Sequence, residues 1–408
     1  MQLVEGDQII MADVKYNLVH EVDELKNQLS ISRRIGFFFG AGTSMSIGMP
    51  GIVELTKQVK ESLVSGEKED IDNVIKCLKS FPEKSDITIE DILNHIRLIR
   101  QITRETYSKG FEGINGKSAK NLDISICNKI YQLIAVKENE SDITPMILFA
   151  SWLNWLPRDY SKEIFTVNYD LVLEKAFEDL RIPYFDGFVG AHEPFFLPES
   201  IESKEKIDSP PFSWIRLWKL HGSFGWFWQK REKSETYKVI RLGSLAKGAD
   251  TNRELVIYPS RDKYESSRKQ PFTAYFDRLK SYLQEGETHF IINGYSFGEE
   301  HINDILFNSL KQNNRLHIIV FLFSDSVFER IKEQVKQFLN ISVFSPSYAV
   351  IGGFIGAWDS LDYKPELELY YDKDDKKLTL GDFKLLVNFL INTSGSKFAI
   401  EDKSKRKL

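Results

Sequence analysis

Three short polar stretches in this 408-residue chain stand directly after apolar runs, where they can meet a ligand. The first is Gly40-Ala41-Gly42-Thr43-Ser44, which follows Ile35-Gly-Phe-Phe-Phe39 and leads into Met45-Ser-Ile-Gly48-Met-Pro50-Gly51. Gly40 and Gly42 let the backbone turn tightly from a buried strand into a helix start. Main-chain N–H groups of such a turn carry partial positive charge, so a pyrophosphate fits against them, with Thr43 and Ser44 adding hydroxyl donors. The full dinucleotide fingerprint asks for a third glycine where this chain has Met45. The second stretch is Asn168-Tyr-Asp170 after Ile164-Phe-Thr-Val167, and the third is Gly294-Tyr295-Ser296 after Phe290-Ile-Ile-Asn293. In an open α/β sheet the ligand crevice lies outside the carboxyl ends of the strands, so the three stretches are expected to converge. Each residue also has a plainer reading. Asn168 and Asp170 suit a helix N-cap, and His221, between Leu220 and Gly222, suits a satisfied core histidine.

The elements that must carry these residues follow from periodicity. Apolar positions Val14, Leu18, Val22, Leu25 and Leu29 predict a helix over 14–31 that covers one face of a sheet. Strands are predicted at 35–39, 164–167, 215–220, 255–258, 290–293, 318–323 and 342–344, with helices at 52–64, 171–180, 272–283, 304–310, 328–339 and 383–390. Strand-then-helix alternation of this kind signals a parallel α/β sheet. Residues 66–157 carry no strong strand signal. There Thr88-Ile-Glu-Asp91 reads as a capping box, helices are expected at 123–135 and after Pro145, and Trp152 and Trp155 read as core. This block is a helical insertion between the first and second βα units. Residues 184–211 form a long loop-rich stretch, the length of loop usually tied to function.

Composition narrows the function classes. With 42% hydrophobic and 28% charged residues the chain is ordinary for a globular protein, and a net charge of −5 offers no general attraction to nucleic acid or anionic membrane. Two cysteines, Cys77 and Cys127, cannot build a four-thiolate zinc site, and their sparseness fits a reducing cytosol. No apolar run approaches the roughly 18 residues of a membrane span. The first residues lack the basic and apolar regions of a secretory signal, so a cytoplasmic location is expected. No His, Cys and carboxylate cluster has zinc spacing, and no metal is expected.

In order and type, four motifs resemble the sirtuin NAD-binding core: Gly40-Ala-Gly-Thr-Ser44 with Gly48-Met-Pro50, Thr166-Val-Asn168-Tyr-Asp170, Leu220-His221-Gly222, and Gly294-Tyr-Ser296. In detail the chain is most similar to bacterial sirtuin-like anti-phage defence proteins, especially those acting beside a HerA-type ATPase. That closer resemblance rests on Asp186-Gly-Phe-Val-Gly190, Lys219-Leu-His-Gly-Ser223, Val256-Ile-Tyr-Pro259 with Lys263-Tyr264, and Asn293-Gly-Tyr-Ser-Phe-Gly298 with His301-Ile-Asn303. It implies a Rossmann-like, doubly wound parallel sheet of the sirtuin type with a helical insertion at about 66–157. The expected layout is an N-terminal helical segment over 1–34, an NAD-binding catalytic domain over 35–360, and a C-terminal extension over 361–408 ending in the basic run Lys403-Ser-Lys-Arg-Lys407. Deacylating sirtuins carry a zinc module with two cysteine pairs after the His-Gly motif; this chain has no cysteine beyond Cys127, which argues against deacylation.

The resemblance implies NAD as substrate and cleavage of the bond between nicotinamide and ribose. Positive charge develops on the ribose ring, and nicotinamide leaves as a neutral amine. Asn168 suits the orientation of water or a ribose hydroxyl, because a carboxamide does not titrate. His221 is the expected base, since imidazole changes protonation near neutral pH. Asp170 is expected to orient one of these groups or to bind ribose. Gly40, Ala41, Gly42, Thr43, Ser44, Pro50, Gly294, Tyr295 and Ser296 are the expected NAD-binding residues. With water as nucleophile the products are nicotinamide and ADP-ribose. The further expectations are an NAD-depleting effector, a homo-oligomer docked on a HerA-type ATPase, and contact with nucleic acid only through that partner. A non-enzymatic NAD or ADP-ribose sensor is the alternative, with deacylation or ADP-ribosyl transfer behind it.

Overall fold

The apolar runs become buried strands in two compact units, one of residues 37–282 and one combining residues 1–36 with 283–408. The structure is a computed structural model describing residues 14–80, 87–111, 113–156, 160–202, 210–230, 237–242, 254–257, 270–359 and 370–393. Pro259, Lys263, Tyr264 and the basic run at 403–407 lie outside the described residues.

In the unit 37–282, the strands Ile35–Phe39, Glu163–Thr166, Ile215–Lys219 and Tyr184–Phe185 lie side by side in that order. Glu163–Thr166 pairs in parallel with Ile215–Lys219, which pairs in parallel with Tyr184–Phe185. Strand Ile35–Phe39 is buried at every position, as expected for a strand covered on both faces. The Phe37 ring meets Phe149 edge-on at 5.1 Å and Trp152 at 5.9 Å, a favoured aromatic geometry. Trp152 is therefore core, as its position suggested. Trp155 is not: it closes the helix Thr144–Trp155, past the turn that faces Phe37, and is 60% exposed.

The expected helical block consists of helices Ser65–Lys79, Ile89–Thr103, Gly116–Glu140 and Thr144–Trp155, with a small hairpin of Gly110–Phe111 and Ile114–Asn115 between the second and third. Thr88 and Asp91 form the capping box that their spacing predicts, each bonding the other's main-chain N–H. The predicted 123–135 helix is longer than its apolar stripe, because Asn115 caps it at Ser118 N and it runs on to Glu140. The same unit holds an antiparallel sheet that periodicity did not reveal, ordered Glu254–Ile257, Gly222–Lys230, Tyr237–Arg241, Phe195–Phe196 and Phe188–Val189. Part of the expected 184–211 loop thus forms short strands at its edge.

In the other unit, strands Thr288–Asn293, Leu316–Phe321 and Ile341–Phe344 pair in parallel through rows of fully buried Ile, Val and Phe. Helices Glu300–Gln312 and Asp325–Val335 supply the crossovers. Two strands depart from the parallel pattern. Gly352 and Gly353 take φ of +59° and +85°, which turns Tyr348–Ile351 back on Phe354–Asp359 as a tight hairpin. Tyr348–Ile351 is antiparallel to Ile341–Phe344 as well, and Phe354–Asp359 then pairs in parallel with Val14–Asn17. The fold is α/β with largely parallel sheet strands flanked by helices.

Candidate active site

Strand Ile35–Phe39 ends at Gly40, whose extended backbone (φ −97°, ψ −177°) starts the short helix Ala41–Ser46. Thr43 folds its hydroxyl back onto the Gly40 carbonyl at 2.8 Å. Gly48, at φ +100°, ends this helix in the left-handed conformation, and Pro50 sits half-buried before the next helix, Ile52–Ser62. One strand away, Thr166 accepts from Asn168 N at 3.0 Å and donates to the Phe39 carbonyl at 3.0 Å. These bonds tie the Asn168 loop to the end of the Phe39 strand.

The Asn168 carboxamide is held through its nitrogen. Nδ2 lies 3.0 Å from the Gly40 carbonyl, 3.0 Å from Thr43 Oγ1 and 2.8 Å from Ser44 Oγ. A carbonyl can only accept, so the nitrogen must face Gly40, and its two hydrogens are shared among three acceptors. Oδ1 enters none of these bonds. Ser44 in turn donates to Asp170 Oδ2 at 2.6 Å, and Asp170 Oδ1 accepts from Val172 N at 3.3 Å. Asp170 therefore joins the glycine turn to the first residue of helix Val172–Asp179, although the N-cap position itself is Leu171 rather than Asp170 or Asn168.

The His221 segment is stitched to the same loop by main-chain bonds, Leu220 N to the Thr166 carbonyl at 2.8 Å and Phe224 N to the Tyr169 carbonyl at 3.0 Å. His221 is 8% exposed, precedes Gly222 at φ +97°, and its ring lies 6.4 Å from that of Tyr169. The structure thus brings Gly40, Thr43, Ser44, Asn168, Asp170 and the His221 segment into one bonded network. Ala41 and Gly42 lie on the first turn of the short helix. In the other unit, Gly294 takes φ +69° at the end of Thr288–Asn293. Tyr295 bonds Asn303 Oδ1 at 3.0 Å, Asn303 bonds back to the Phe297 carbonyl at 3.0 Å, and the Ser296 carbonyl accepts from Arg330. His301 Nε2 lies 3.6 Å from Glu299 Oε2.

Four supporting residues were not foreseen in these roles. Lys219, 3% exposed at the end of strand Ile215–Lys219, donates to the carbonyls of Asn168 (3.4 Å) and Asp170 and pairs with Glu174 Oε1 at 3.1 Å. Burial pushes the Glu174 carboxyl up to about 7, although Lys219 draws it down. From the helical block, Glu138 Oε1 accepts from Leu171 N at 2.8 Å and Glu90 Oε1 accepts from Tyr169 OH at 3.3 Å. A lysine ending an otherwise fully buried strand was the available signal, because a buried cation must be paired. The carboxylates gave none, since each reaches the loop from a distant element. Asp186 of the resembling Asp186-Gly-Phe-Val-Gly190 stretch is a buried ion-pair partner of Arg241 at 2.6 Å.

Residues 162–343 match the family model of the SIR2-like domain. The matched segment contains Asn168, Asp170, Lys219, His221 and Gly294–Ser296, and begins after the Gly40 turn and the helical block. A solved Sir2 homologue, a mutant in complex with 2'-O-acetyl ADP ribose, aligns over 74% of this chain and 85% of its own, with 11% identity and a TM-score of 0.38. No curated protein shows significant sequence similarity to the chain. Both cysteines lie on helices of the block that precedes His221, Cys77 on Ser65–Lys79 and Cys127 on Gly116–Glu140. Among the described residues no helix is long and apolar enough to cross a membrane.

Proposed function

We propose that this chain is a sirtuin-like NAD glycohydrolase that cleaves NAD and water to nicotinamide, ADP-ribose and a proton. The observation that carries the reading is the anchoring of Asn168 through Nδ2. It leaves a neutral carbonyl oxygen, Oδ1, to accept a hydrogen bond from the attacking water or a ribose hydroxyl. The SIR2-like match over the segment that carries Asn168 and His221 supports the same assignment. As the glycosidic bond stretches, positive charge grows on the ribose ring, and Asn168 orients the nucleophile without adding a titrating group. His221 takes the proton that water loses, and nicotinamide departs neutral. The glycine turn meets the pyrophosphate through main-chain N–H groups. In the cell the chain acts in the cytoplasm as a homo-oligomer with a HerA-type ATPase, depleting NAD during phage infection. Activity is gated, because unrestrained NAD loss kills the host.

Nicotinamide release from NAD by wild type, Asn168→Ala and His221→Ala, each with and without a HerA-type ATPase, tests the reading. The expected result is turnover in wild type, a drop of roughly 10²–10⁴-fold for His221→Ala as for loss of a general base, and no detectable turnover for Asn168→Ala. Binding of NAD with no release under any condition would replace the glycohydrolase by the sensor.

A further inference from the structure

Lys219 is a buried cation whose every hydrogen is spent on the Asn168 loop or its flank. An ammonium has three donors, and here they meet the Asn168 carbonyl, the Asp170 carbonyl and Glu174 Oε1. The two carbonyls belong to the residues on either side of Tyr169. Holding both fixes the Asn168–Tyr169 and Asp170–Leu171 peptide planes, each of which begins at the Cα of a site residue, and hence the directions in which the Asn168 and Asp170 side chains leave the backbone. Those side chains are the ones that grip Gly40, Thr43 and Ser44. We propose that Lys219 is a positioning residue for the Asn168–Asp170 loop, acting through these two carbonyls, an inference that rests on the glycohydrolase reading for its effect on turnover.

The pair is asymmetric. Lys219 is fully satisfied, whereas Glu174 Oε2 is buried with no hydrogen-bond partner. The carboxylate thus serves the ammonium at its own expense, and the ammonium serves the loop. Lys219 also stands opposite Thr166 in the parallel pair of strands, two residues before His221. One strand end therefore carries both the group that sets the loop and the expected base.

The experiment uses the full-length chain as wild type, Lys219→Met, Lys219→Arg, Glu174→Gln and the double variant Lys219→Met/Glu174→Gln. The double variant removes both charges, leaving no unpaired carboxylate to unfold the unit, so it isolates the carbonyl contacts. Its kcat for nicotinamide release is expected to fall on the order of 10²-fold with KM little changed, as for a misplaced catalytic group. Main-chain amides over 167–172 are expected to exchange with deuterium faster than in wild type. Lys219→Arg keeps the charge but not the compact three-way geometry and recovers only part of the loss. Glu174→Gln alone, which keeps both carbonyl bonds, loses less than the double variant. Wild-type turnover and unchanged exchange in the double variant would overturn the proposal. If wild type releases no nicotinamide either alone or with a HerA-type ATPase, the glycohydrolase reading fails, and the exchange data alone decide whether Lys219 holds the loop.

Discussion

Removing the Glu138 carboxylate tests whether the helical block supports the site. Helix Val172–Asp179 begins at Leu171, which has no side-chain cap of its own, and the missing acceptor comes from Glu138 at the end of helix Gly116–Glu140. Its second oxygen pairs with Lys175 Nζ at 3.0 Å, a lysine side chain that is 36% exposed. Glu138→Ala deletes the cap and leaves the Leu171 N–H without its acceptor. Cap loss costs about 0.5–2 kcal/mol and an orphaned buried donor about 1–3, but these describe the same bond and are not summed. The half-exposed Lys175 pair adds between about 0 and 1 kcal/mol. A local loss of about 2 kcal/mol follows, equivalent to roughly 30-fold faster exchange of the amides at 171–175 at a tenfold per 1.4 kcal/mol. Glu138→Gln keeps a carbonyl for Leu171 N and should lose clearly less. Exchange at these amides that is the same in Glu138→Ala and wild type would refute the argument that the block caps the site helix.

Three further outcomes follow from single groups. Glu174, whose folded-state pKa is raised from 4.5 to about 7 by burial, holds its proton more tightly folded than unfolded. Stability therefore falls as pH rises from about 4.5 through 7, by roughly 3 kcal/mol at about 1.4 per unit. Lys219, Asp170, Tyr184 and Arg241 also bear on it and stay in place, so pH-dependent melting should flatten in Glu174→Gln, and an unchanged slope would count against the assignment. Asp123 is 3% exposed between Arg97 and Arg100, which hold its carboxyl below the usual range against the upward pull of burial. Asp123→Ala removes the carboxylate that Arg97 and Arg100 share, while Arg100 keeps Glu105 at 2.6 Å and Arg97 keeps its contact with Cys127 Sγ at 3.6 Å. Unfolding should be easier by an amount toward the lower end of about 3–5 kcal/mol, and a melting curve like wild type would show that the charges are solvated. Gly381→Ala would set a Cβ 2.6 Å from Phe323 Cα and against the Leu322 carbonyl, so urea unfolding should come earlier by about 1–3 kcal/mol or more. A variant that unfolds at the wild-type midpoint would mean that the segment yields freely.

Much of the architecture was legible because it is local. Glycine after an apolar run marks the Phe39 turn, and a threonine three residues before an aspartate marks the Thr88 cap, whereas the antiparallel hairpin at Gly352-Gly353 needed the structure. The antiparallel sheet around Gly222–Lys230 was missed because Gly222 and Gly225 interrupt the pattern, even though the aromatic residues between and after them favour strands. The site's wiring is not local. Asn168 and Gly40 are 128 residues apart, Ser44 and Asp170 are 126 apart, and Lys219 and Asp170 are 49 apart. No periodicity reports which distant polar groups meet, so Lys219, Glu174, Glu138 and Glu90 acquired their roles only in the folded chain.

The same wiring changes what the glycine turn does. The Thr43 and Ser44 hydroxyls, read from sequence as donors to a phosphate, already donate within the chain, to the Gly40 carbonyl and to Asp170. The path from Asn168 Nδ2 to Ser44 Oγ to Asp170 Oδ2 begins at a group that can only donate and ends, in an ionised carboxylate, at one that can only accept. The hydroxyl between them has no choice of direction, and the carboxamide has no second orientation, since a flip would turn Oδ1 onto the Gly40 carbonyl. The neutral amide at 168 is thus dictated by the turn as much as by any ligand. An aspartate there would set its oxygens against a carbonyl and close to Asp170, with no proton to share at neutral pH. The hydroxyls serve to aim Asn168, which leaves the main-chain N–H groups of the turn as its means of meeting an anion.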